Sequence, residues 1–155
     1  MVHALEEAER ILVPGGQLID LRPISVDSRL EILYGHAVRP AGIIDFSGGL
    51  PEDRAADQAV AGRVRRGGLS PEGHRRFEHA YYWEDLASMK AYAEERWSES
   101  ATVPERVYRR AEDLIHKCLG PARIRVRLLV HLAAYRAGAG HSPDAGASLQ
   151  GSSLR

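Results

Sequence analysis

Apolar residues return at Val2, Leu5, Ala8, Ile11 and Leu12, a spacing of three and four that predicts an amphipathic helix over residues 2–13. Pro14 stops it, because a pyrrolidine ring cannot continue the helical hydrogen bonds, and Gly15-Gly16 supply a tight turn that needs positive φ. Residues 17–21 then read as a short, largely apolar strand, with Arg22 held extended by Pro23. Two β-prone runs, "RLEILYG" and "AGIIDFS", flank "HAVRP" and predict a hairpin within residues 29–46.

A second helix is marked over residues 51–66. Pro51, Glu52 and Asp53 open it, Arg63, Arg65 and Arg66 crowd its last turn, and Gly67-Gly68 follow. Acid first, base last and glycine after suit the helix dipole and the C-cap. The "RVRR" run is therefore read as a helix terminus, with phosphate binding as the alternative. Residues 75–83 suit a strand carrying Phe77, His79, Tyr81 and Trp83 on one face. Residues 84–97 turn helical through Leu86, Met89, Ala93 and Trp97. Pro104 opens a further helix with Val107, Ala111, Leu114, Ile115 and Cys118 inward, and Gly120-Pro121 end it. Residues 122–135 form the longest strand, with Ile124, Val126, Leu128, Val130 and Leu132 on one face and Arg123, Arg125 and Arg127 on the other. The arginine face reads as half-solvated, with a basic stripe for an anionic partner as the alternative. Residues 137–155, rich in Gly, Ala and Ser, are predicted to be a disordered tail. No internal repeat is present, so residues 1–136 are taken as one unit.

Composition narrows the function. The chain has 155 residues, with Lys+Arg 21 balanced by Asp+Glu 21. That balance gives no support for nucleic-acid or membrane-surface binding. No apolar run approaches a membrane span, and residues 1–13 lack the apolar block of a signal peptide. Cys118 is alone, which suits a reducing cytoplasm and leaves no intramolecular disulfide. His74 and His79 are five apart, not a ligand spacing, and no metal site is expected.

One motif is more specific than these patterns. The stretch "ALEEAERILVPGGQLIDLRP" resembles the helix–turn–strand unit leading into the fifth strand of class I S-adenosylmethionine-dependent methyltransferases. The family pattern, Ala-Leu-x-Glu-Ala-x-Arg-x-Leu-x-Pro-Gly-Gly-x-Leu, falls on Ala4, Leu5, Glu7, Ala8, Arg10, Leu12, Pro14, Gly15, Gly16 and Leu18. The later order of strand, two helices and closing strand also resembles that family, so the resemblance spans roughly residues 2–136. It implies an α/β fold: a partial Rossmann-like sheet of strands five to seven, flanked by helices, with the closing strand antiparallel between the other two. It also implies that the first four strands, which carry the cofactor site, are missing. No Gly-x-Gly turn joins a strand to a helix here, so S-adenosylmethionine is expected for the full-length family and not for this chain alone.

Ligands of open α/β sheets lie beyond the carboxyl ends of the parallel strands. Arg22, at the end of the first strand, is a candidate fork for a substrate carboxylate or phosphate, with a surface salt bridge as the favoured alternative. Tyr34 and His36, with Phe46, lie in the 24–50 insert expected over the same end and are candidates to wall a substrate pocket, with core or lid packing as the favoured alternative for each. Tyr82 and Trp83 are read as core, and no catalytic residue is assigned. The expected function is the substrate-side portion of a methyltransferase acting on a small-molecule acceptor, inactive as the isolated chain. The alternative is a non-catalytic dimerisation or partner-binding module. Residues 17–21 carry no edge-blocking Lys or Pro, which favours the missing-half reading over the module, and self-association through the uncovered strand edge is expected.

Overall fold

The computed structural model describes residues 2–138. In chain order the elements are α1 (Val2–Ile11), β1 (Gln17–Pro23), β2 (Ser28–Tyr34), β3 (Ala37–Ile44), a single 3-10 turn (Ser47–Gly49), α2 (Leu50–Arg65), β4 (Leu69–Trp83), α3 (Leu86–Arg96), α4 (Glu105–His116) and β5 (Arg123–Ala137). The protein is α/β, with an open five-stranded sheet flanked by helices.

Local chemistry accounts for the boundaries. Gly15 takes φ +76° after α1, whereas Gly16 keeps negative φ and is needed for a different reason: a Cβ there would meet the Val13 carbonyl oxygen at 2.8 Å. The β2–β3 hairpin closes through Gly35 and His36, with Tyr34 opposite Ala37 and the positive φ on Gly35. Helix α2 ends in a Schellman motif, Gly68 N–H donating to the Arg63 carbonyl and Gly67 N–H to that of Val64, with Gly67 left-handed. Asp85 caps α3, its carboxylate accepting from the Ser88 N–H at 2.7 Å.

Strand β5 organises the sheet. It pairs antiparallel with β4 along one side, from Leu69 opposite Ala137 to Trp83 opposite Ile124. On its other side β1 takes residues 130–136 and β2 takes residues 123–126. β5 thus lies antiparallel between β1 and β4, as expected of the closing strand. The hairpin, expected only as a cover over the strand ends, instead extends the sheet through β2 and β3. β4 starts earlier than residue 75 because β5 offers a ladder down to Ala137, entered through a bulge between Pro71 and Gly73. Ala137, assigned to the tail from sequence, is held by a hydrogen bond to the Gly16 carbonyl at 2.8 Å. Residues 139–155 of the expected tail lie outside the described residues.

The core lies where α3 and α4 cover one face of the β2 end. Leu30, Ile32, Ile44, Met89, Val107, Ala111, Ile124 and Val126 are buried there, joined by Trp97 and Phe46. Gly42 lets α4 approach: a Cβ at that position would lie 2.6 Å from Val107 Cγ2. Helix α1 departs from expectation. Ile11, placed on its inward stripe, is 70% exposed, because α1 rests mainly on α2 and reaches little else.

Candidate functional site

The turn between β1 and β2, residues 24–27, borders a concave feature, a cavity of about 440 Å³ beyond the carboxyl end of β1. Pro23, Ile24 and Ser25 form one wall. The opposite wall is the start of α2, where Asp53 accepts a hydrogen bond from the Ser25 backbone N–H at 2.7 Å and so fixes the loop against the helix. Two glycines allow that closeness. A side chain on Gly49 would strike the Ser25 hydroxyl, and one on Gly48 would press at 3.0 Å on the Glu99 and Ser100 carbonyl oxygens.

The floor is aromatic. Tyr81 on β4 and Tyr92 on α3 lie 5.7 Å apart between ring centroids, and Trp97 stands edge-on to Tyr92 at 5.3 Å and to Phe46 at 5.3 Å. Alternation along β4 puts Tyr81 and Trp83 on the helix-covered face, stacked at 6.0 Å, and α3 returns directly over them. Burial, then the neighbouring Tyr81, raises the Tyr92 phenol above its ordinary pKa, so it stays a neutral hydroxyl. The rim carries the carboxylates of Glu52, Asp53 and Glu99 and the guanidinium of Arg96, whose Nε pairs with Glu95 at 3.1 Å.

The three expected substrate-binding residues are not brought together. Arg22 points away from the cavity onto the face covered by α2. Its guanidinium pairs with Asp20 at 3.2 Å and with Asp57, and donates to the Asp53 carbonyl at 3.2 Å. Burial alone would lower its pKa, but the bond to Asp57 and the charge of Asp20 outweigh this and raise it. Arg22 therefore locks β1 to α2. Tyr34 and His36 sit at the hairpin turn. Pro23 lies opposite Val130 and Leu33 opposite Arg123, so the turn is about 20 Å along the sheet from the cavity wall at Pro23, at about 3.3 Å per residue, and neither Tyr34 nor His36 lines the cavity. The reason is topological: β2 runs on in the direction of β1 along the same edge of β5, carrying the turn away. Of the expected wall only Phe46 lines the cavity. Tyr92, Trp97, Glu52, Asp53 and Glu99 were not singled out from sequence as site residues. The available signal was the aromatic alternation of β4 followed at once by a helix bearing Tyr92 and Trp97.

The arginine face resolves into ion pairs. Glu31, 4% exposed, accepts from Arg125 at 2.8 Å and from Arg127 at 3.2 Å. Arg127 also reaches Glu78 at 2.9 Å, and Arg123 pairs with Glu84 at 2.8 Å. Each arginine has a carboxylate partner, which leaves no net basic stripe for an anionic partner. Arg63 of the "RVRR" run pairs with Glu6 at 3.0 Å. Among the described residues no cluster of His, Cys, Asp or Glu could hold a metal ion, and no helix is long and apolar enough to cross a membrane. No protein family, no curated protein and no solved structure matches this chain.

Proposed function

We propose that this chain is the substrate-side portion of an S-adenosylmethionine-dependent methyltransferase, and that the cavity beyond β1 receives a small-molecule methyl acceptor. The observation that carries the reading is the strand arrangement: β5 antiparallel between β1 and β4, with no strand paired to the other edge of β1 among the described residues. In the family that the helix–turn–strand motif resembles, that edge is where the cofactor-binding strands adjoin. The cavity lies beyond the carboxyl end of β1; every pairing in the sheet is antiparallel, and β1 and β4 run in the same direction on either side of β5. Among the described residues no Gly-x-Gly turn joins a strand to a helix, so S-adenosylmethionine is expected to need the adjoining strands.

Two measurements test this. Translating the DNA upstream in the same frame should reveal a glycine-rich strand–turn–helix, and a chain lengthened to include it should bind S-adenosylmethionine in calorimetry while the 155-residue chain does not. Micromolar binding by the short chain, or an in-frame stop close upstream with no such motif, would overturn the reading.

A second reading, a self-associating module, has its own support. Ile19 is 51% exposed and Leu21 60%, on one face of a strand whose outer edge pairs with no strand among the described residues. A second copy pairing antiparallel about Leu21 would set Asp20 opposite Arg22 and Leu21 opposite its own counterpart, complementary in charge and hydrophobicity. Substituting Ile19→Lys should then convert a dimer to a monomer in size-exclusion chromatography. A wild-type monomer at high concentration excludes this reading.

A further inference from the structure

The acceptor's chemistry is written in the cavity walls. Rings of Tyr81, Tyr92 and Trp97 supply the floor, and an aromatic face carries the negative lobe of its quadrupole, which attracts cations. Around the mouth stand Glu52, Asp53 and Glu99. Glu52 and Glu99 engage no hydrogen bond or ion pair among the described residues. Two features oppose them, and neither prevails. Arg96 is a single cation already turned to Glu95, and the positive end of the α2 dipole is offset by Glu52 and Asp53 in its own first turn. An anion entering here would face the rim carboxylates. A neutral apolar ligand would leave them without a partner. The volume, about 440 Å³, suits a small organic molecule.

We propose that this cavity binds a cationic amine: an ammonium group seated between the aromatic floor and the Glu52 and Glu99 carboxylates, carried on a small aliphatic or aromatic body. As the identity of a methyl acceptor this rests on the methyltransferase reading; as a binding site it does not, since equilibrium binding needs no cofactor.

The test is calorimetry of the full chain at low salt with phenethylammonium chloride, against phenethyl alcohol and 3-phenylpropionate, which share the ring and differ in charge. The ammonium should bind about tenfold or more tightly than the alcohol, and the carboxylate should not bind measurably. Both side chains are exposed: Glu99→Gln should leave the thermal midpoint unchanged, and Glu52→Gln, which removes one of two charges from the first turn of α2, should lower it only slightly. Each should weaken the ammonium about threefold to tenfold while leaving the alcohol unaffected. Equal affinity for ammonium and alcohol, preference for the carboxylate, no ammonium binding at millimolar concentration, or indifference to both substitutions would each overturn the proposal. Failure here with an upstream cofactor motif in place would leave a methyltransferase of a different acceptor. Ammonium binding with no such motif would leave an amine-binding site without methyl transfer.

Discussion

The two ends of the β5 ladder each have one covered face and one bare face, and the bare faces are opposite in chemistry. At the β2 end α3 and α4 cover the apolar face, and the bare face carries Glu31, Arg125, Arg127 and Glu78, matched charge for charge. At the β1 end α2 is tied to the polar face through Arg22 and Asp57, and the bare face carries Ile19, Leu21 and Phe77, 51%, 60% and 43% exposed, beside half-buried Val130 and Leu132. A solvated sheet face is normally built of side chains that water or each other can satisfy, as at the β2 end. The β1 end has the composition of an interior. This difference is what a partner, whether further strands and helices or a second copy, would remove.

Substitutions in equivalent positions at the two ends sharpen the contrast. Ile124→Ala, in the covered core, should cost about 2–5 kcal/mol in urea denaturation, since it deletes fully buried methyl groups and leaves a cavity. Leu21→Ala, on the bare face, should cost under about 1 kcal/mol, because little area is buried in the first place. A Leu21→Ala loss as large as that of Ile124→Ala would mean the bare face is covered in solution.

The polar bare face predicts the next largest effect. Removing the Glu31 carboxylate by Glu31→Ala leaves Arg125 and Arg127 facing each other across a nearly buried gap. The cost should be about 3 kcal/mol, at the low end for a buried pair because both arginines are partly exposed. Glu84→Ala breaks the exposed pair with Arg123 and should change stability by less than about 1 kcal/mol. If the two substitutions cost the same, Glu31 is wetter than its burial indicates. Gly42→Ala tests the covered side from the opposite direction. The added methyl would press on Val107, and about 1–3 kcal/mol should be lost as α4 is lifted from β3.

Much of this architecture was legible from periodicity. The alternation of Ile124, Val126 and Leu128 against Arg123, Arg125 and Arg127 gave β5 both its faces, and Pro14, Gly67 and Pro104 punctuated the helices where they end or begin. What failed was long-range. Nothing local to Arg127 shows that Glu31, 96 residues away, will neutralise it, or that Asp57 will take the guanidinium of Arg22. The placement of Tyr34 and His36 failed for the same reason, since a hairpin's sequence specifies its turn but not the strand on which it docks. The cavity was less legible: Trp97 fell on the inward stripe of its helix and Tyr92 was not singled out, because a ring that floors a cavity has the same spacing as one that fills it.

The smallest expected effect concerns acid, and it touches both ends. At the β2 end Asp85 and Asp45 have their pKa values lowered, Asp85 by the backbone and side-chain bonds from Ser88 and Asp45 by those from Ser47. At the β1 end Glu72 is lowered by hydrogen bonds from Gln17 and Arg136, which clip β4 to the neighbouring strands. A carboxylate whose folded pKa lies below its unfolded value stabilises the fold fully at pH above the ordinary carboxylate range. That contribution is lost as pH falls through the lowered folded value, because the native state must then take up the proton it resisted. Urea midpoints measured downward from neutral pH should therefore hold level and then decline in acid. Asp85→Asn keeps a capping oxygen but removes the titration, so its decline should be shallower than wild type. Glu72→Gln should flatten the same limb if the β1 end unfolds together with the rest. A Glu72→Gln profile superimposable on wild type, beside a shallower Asp85→Asn profile, would show that the strands around the bare apolar face open before the covered core does.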